Sequence, residues 1–129
     1  MFWAVLMARV VVGLPFLLFG LNYFLKFFNP PTPELPDLAK QFVGALAASG
    51  YLHVVKVLEV VGGVLVLSGR LVPLGLVLLT PIAVNILLYE IYLLGTAGPG
   101  LPLTVLCFSL VWAYRSHFIA VFALKPKIG

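Results

Sequence analysis

Charge is what this sequence has least of: Asp, Glu, Lys and Arg make up 9% of its 129 residues, where soluble domains carry about 25%. A surface that poor in ions cannot be wetted all round, which excludes an ordinary water-soluble domain. Cysteine is nearly missing as well. Cys107 stands alone, so there is no internal thiol exchange pair and no thiolate cluster for an iron–sulfur centre, and its expected role is packing. Only two histidines occur, His53 and His117, and counting helical rise puts them about 20 Å apart along the helix direction, too far to share one haem. No nucleophile elbow, P-loop or dinucleotide fingerprint is present. Zinc needs clustered ligands, and with only His53, Glu59 and Glu90 to consider, no metal site is expected. The cations behind the net charge of +4 are scattered over the ends of apolar blocks, which speaks against nucleic-acid binding.

What is there is hydrocarbon. Apolar residues make up 63% of the chain, and they fall into blocks of roughly the 20 residues that cross about 30 Å of bilayer as helix. Inside lipid the backbone must satisfy its own hydrogen bonds, so helices follow. The expected fold is all-α, one integral membrane domain over 1–129 with four transmembrane helices at about 2–28, 51–68, 71–94 and 101–124. The first block has no cation before Arg9 and is too long for a removable leader, so it is expected to stay as a span. "NPPTPELPD" stops it, because four prolines within seven residues remove donors and restrict the residue before each ring. Asp37 is expected to cap a short amphipathic helix over about 38–49, whose Leu38, Phe42, Ala45, Leu46 and Ser49 recur at helical spacing and which lies at the membrane surface. Arg70, Lys125 and Lys127 fall on the side of the N-terminus, while Lys40 opposite is offset by Glu34 and Asp37; the positive-inside tendency then puts both termini in the cytoplasm.

"HVVKVLEVVGG", residues 53–63, is where ions interrupt the grease. His53, Lys56, Glu59 and Gly63 share a sector of about 120° on a helical wheel. That sector should face the bundle interior, because a charge turned to lipid at mid-membrane costs about 2.5–3.5 kcal/mol on insertion scales. Glu59 and Asn85 fall near mid-membrane, and Asn85 shares a face with Pro81, Tyr89 and Tyr92. Glu90 points elsewhere on the same helix. Arg9 lies on a stripe with Gly13, Phe16, Gly20 and Tyr23; it either snorkels to headgroups or turns inward to meet Glu59. A lysine and a glutamate three residues apart can simply neutralise each other, with Asn85 as polar glue between helices. Yet a buried ion pair often fails to repay its desolvation, so apolar residues would serve stability as well, and the pair is a candidate site.

The run "HVVKVLEVVGGVLVLSGRLVPLGLVLLTPIAVNILLYEIYL" at 53–93, with "ARVVVGLPFLLFGLNYF" before it and "WAYRSHF" after it, resembles the DoxX family of small four-span bacterial membrane proteins. Its specific elements are Lys56, Glu59, Gly62 and Gly63, "GR" with Pro73, and "PIAVNI" with Asn85; Glu90 departs from the pattern. The resemblance implies the bacterial inner membrane and an association with membrane oxidoreductase complexes, members being similar to the small subunit of an archaeal thiosulfate:quinone oxidoreductase. Two functions follow. In one, the chain is a redox-associated, quinone-binding subunit, with Lys56, Glu59, Asn85, His53, Tyr89, Glu90 and Arg9 as candidate ligand-binding residues. It holds no redox motif, so electrons must come from a protein partner and a complete enzyme is not expected. In the other it binds a small molecule or lipid as a transport accessory, or is a purely structural membrane subunit that packs against a partner or a second copy through its glycine stripes.

Overall fold

The computed structural model describes residues 1–29 and 34–129, and the described elements are helical. Helix α1 runs Phe2–Leu25, α2 Asp37–Ser49, α3 Tyr51–Ser68 and α4 Val72–Tyr89; α4 continues into a π-helical turn, Glu90–Leu94, and α5 runs Gly100–Ala113. Short 3₁₀ turns follow at Arg115–His117 and Ile119–Phe122. Helix α1 touches α3, α3 touches α4, α4 touches α5, and α5 returns to α1, which closes a ring. Helix α2 lies against α3 and the π-helical turn.

Two ends differ from the expectation, each for a local reason. Helix α1 stops at Leu25 instead of continuing to Phe28, because Lys26 turns left-handed at φ 54° and the Asn22 side chain accepts the Phe28 N–H at 2.9 Å. The prolines at 30–33 that were expected to end it lie outside the described residues. At the other end of the chain, regular helix stops at Ala113 rather than near residue 124. There Arg115 folds back, donating to the Trp112 carbonyl at 2.9 Å and lying over the Trp112 ring. Among the described residues three helices are long and apolar enough to cross a membrane, Phe2–Leu25, Tyr51–Ser68 and Val72–Leu94, while Gly100–Ala113 is a shorter apolar helix. The N-cap of α2 is Pro36, and Asp37, expected in that place, is instead the first residue of the helix.

The interior is small. Val12, Phe16, Val66, Val72, Leu76, Leu79, Ala83, Cys107 and Leu110 form the buried cluster. Large apolar side chains such as Val57, Val61, Leu74, Val77, Val105 and Phe108 point out of the ring. So continuous an apolar exterior requires a lipid solvent.

Between lipid-bathed helices burial of hydrocarbon gives no net drive, so close backbone approach decides packing. The adjacent glycines of α3 supply it in two directions. A Cβ added at Gly63 would sit 3.0 Å from the Gly13 carbonyl oxygen and 3.0 Å from the Leu17 nitrogen on α1. One added at Gly62 would sit 2.6 Å from Leu79 Cγ and 3.4 Å from the Gly75 oxygen on α4. Helix α3 is therefore clasped at backbone distance by a neighbour on each side.

Candidate functional site

One turn N-terminal of those glycines the same helix carries Lys56 and Glu59. Spacing of three residues on a helix brings their side chains together, and Lys56 Nζ lies 3.4 Å from each Glu59 carboxylate oxygen. The Glu59 side chain is 6% exposed and that of Lys56 21%. Both face the ring.

Two hollows meet at this pair. The first, about 290 Å³, lies between α2, α3 and α4, and joins Lys56 and Glu59 to Asn85, Tyr89, Phe42 and Ile82. Phe42 stacks on Tyr89 with ring centroids 5.7 Å apart, so α2 forms a wall of this hollow. The second, about 260 Å³, lies toward α1 and α5; Pro15, Phe16, Phe19, Pro99 and Leu103 line it, together with Lys56, Glu59 and Ile86. Asn85 donates through Nδ2 to the Pro81 carbonyl at 2.9 Å, one turn back on its own helix. A cation–anion pair, an amide and a phenol around an apolar hollow can hold a carbonyl-bearing ring: the ammonium donates, and the hollow opens to the exterior past Asn85 and Phe42, both exposed.

The other candidate residues are elsewhere. Arg9 does not reach Glu59; its Nε donates to the Val66 carbonyl at 2.9 Å and its Nη2 to that of Leu67 at 3.2 Å. These are orphan acceptors at the C-terminal end of α3, where a cation also complements the helix dipole. His53 is exposed and shares a hydrogen bond of 3.0 Å between its Nδ1 and the Tyr23 hydroxyl, in a separate hollow with Phe24 and Lys26. Glu90 is buried, 5% exposed, and its Oε1 accepts the Gly98 N–H at 3.1 Å and the Gly100 N–H at 2.9 Å. It thus ties the π-helical turn to the start of α5, and Pro99, which it holds between two bonded amides, is part of the second hollow. Removing both charge-assisted bonds by Glu90→Ala is expected to cost roughly 2–3 kcal/mol, read as a lower unfolding midpoint in detergent, with hydrogen exchange rising first at Gly98 and Gly100.

Sequence reasoning missed Phe42, Phe19 and Pro99 as walls. Phe42 carried a usable signal, since an aromatic residue on a surface helix connected to α3 by one glycine, Gly50, is bound to lie close to it. Pro99 carried none. Among the described residues no group of three His, Cys, Asp or Glu side chains could hold a metal ion.

Apolar helices with a lipid-facing exterior and an inward ion pair define a multi-pass membrane protein with a polar interior. The DoxX family profile matches residues 4–89, and the chain belongs to that family. An uncharacterized protein of Bacillus subtilis (strain 168), YwoB, is 32% identical over 125 residues, covering 92% of this chain and 81% of that protein. No solved structure gives a significant match. The profile match takes in Arg9, His53, Lys56, Glu59, Asn85 and Tyr89 and ends before Glu90 and α5.

Proposed function

We propose that the chain is a redox-associated subunit of the bacterial inner membrane that binds a quinone at the Lys56–Glu59 pair. It has four spans, α5 with its following turns being the fourth, and both termini are cytoplasmic. The observation that carries this reading is the pair itself: two ions at mid-helix, facing inward, bordered by apolar hollows. Its desolvation is a standing cost that packing alone does not explain. Lys56 donates to a quinone carbonyl, Asn85 and Tyr89 border the head group, and Phe42 stacks over Tyr89 at the edge. Glu59 holds the lysine in place and can pass a proton. The chain supplies no redox centre of its own, so electrons enter from a partner subunit.

The test is quinone content and affinity in purified protein. Wild-type protein should retain or take up a quinone, and Lys56→Met and Glu59→Gln should each weaken binding about tenfold or more, as expected when one buried charge-assisted hydrogen bond is lost. Unchanged affinity in both would remove these residues from the site. A lipid-binding or transport-accessory role uses the same hollow and would show instead as a co-purifying lipid in a native mass spectrum. A purely structural subunit would show no ligand and a tight protein partner.

A further inference from the structure

The two hollows differ in chemistry although they share a border. Beyond the ion pair, the one against α2 has Asn85 and Tyr89 on its walls, whereas the one toward α1 and α5 has only apolar residues, among them Phe16, Phe19 and Leu103. Lys56, Glu59 and Ile86 belong to both. A compact ring would need only the first hollow, and would leave the second, an apolar groove of about 260 Å³ beside a buried charge, without contact to the ligand. The width and apolar walls of that groove suit a hydrocarbon chain that continues from the pair.

We infer that the two hollows take one ligand between them: a polar-headed amphiphile whose head lies against Asn85 and Tyr89 and whose hydrocarbon tail passes the ion pair into the hollow between α1 and α5. This rests on the quinone reading of the Lys56 site and adds the path of the tail. Ile86 is the specificity-determining residue, because its side chain stands where head and tail chambers adjoin. Ligands are then selected for an apolar chain as well as for a ring. The tail lies along the groove between α1 and α5 instead of trailing into lipid past α2.

The probe is a quinone carrying a photoreactive diazirine at the end of a short alkyl tail, added to the full chain in detergent or nanodiscs and mapped by peptide mass spectrometry. Labelling at Phe16, Phe19 or Leu103 that excess untagged quinone suppresses is the expected result. Ile86→Trp should lower that labelling at least tenfold, while Leu88→Trp, on the exposed face of the same helix, should leave it unchanged. Competable labelling confined to Phe42, Leu46 or Tyr51, or to outward residues such as Val57, would overturn the tail path and leave the Lys56 site standing. Absence of any competable labelling would overturn both, and a loss of affinity in Lys56→Met with labelling still at Phe16, Phe19 or Leu103 would uphold both.

Discussion

Gly63→Leu is expected to leave no bundle that survives detergent extraction as a folded monodisperse species. The atoms a new Cβ meets at 3.0–3.1 Å are the Gly13 oxygen and the Leu17 nitrogen and Cβ, which belong to or adjoin the backbone of α1 and cannot rotate aside. A longer side chain must force α1 off α3. The cost should reach or exceed the upper end of the roughly 1–3 kcal/mol typical of overpacking. Gly44→Leu is the matched control, because a Cβ there meets nothing within 4 Å, and it should extract and unfold as the native chain does. Size-exclusion profiles and thermal unfolding in detergent decide between them. Equal behaviour of the two variants would mean that α1 and α3 do not meet at this glycine.

The second large effect is a pattern across three variants at the ion pair. Lys56→Met alone strands a carboxylate that is 6% exposed, and Glu59→Leu alone strands the ammonium. Breaking a buried pair from one side costs about 3–5 kcal/mol, and the lower figure applies here since Lys56 keeps some exposure. The double variant Lys56→Met with Glu59→Leu removes the desolvation problem and should unfold at or above the native midpoint. If the pair serves only to hold helices, that double variant is silent in every assay. On the quinone reading it is as stable as the native chain and has lost the ligand, which separates loss of binding from loss of fold.

Much of this was readable from the amino-acid order because ions and glycines are conspicuous in an apolar text. The bounds of α3, Tyr51–Ser68, agree with the span expected from hydropathy, and α4 with its π-helical turn ends at Leu94 as expected. The phase of α2 was not readable. The wheel favoured Leu38, Phe42, Ala45, Leu46 and Ser49 as one face, yet Ala39 is the residue fully buried and Leu38 is 63% exposed. Phe42 and Leu46 of that face do line the first hollow, but when the solvent is itself hydrocarbon, hydrophobicity alone no longer says which face turns inward. Arg9 and Glu90 were illegible for another reason: their partners are backbone carbonyls and amides, which no residue type advertises. The end of α5 was misjudged because hydropathy carries on past Ala113, whereas the Arg115 guanidinium finds the Trp112 carbonyl and closes the helix.

Because consecutive glycines of α3 are met by α1 and by α4, moving that helix by a single residue would bring Val64 against the α1 main chain or Val61 against the Leu79 side chain. Its axial position is locked. A ligand at the Lys56–Glu59 pair would then meet an α3 of fixed register, with side chains such as Phe42 the parts left to give way.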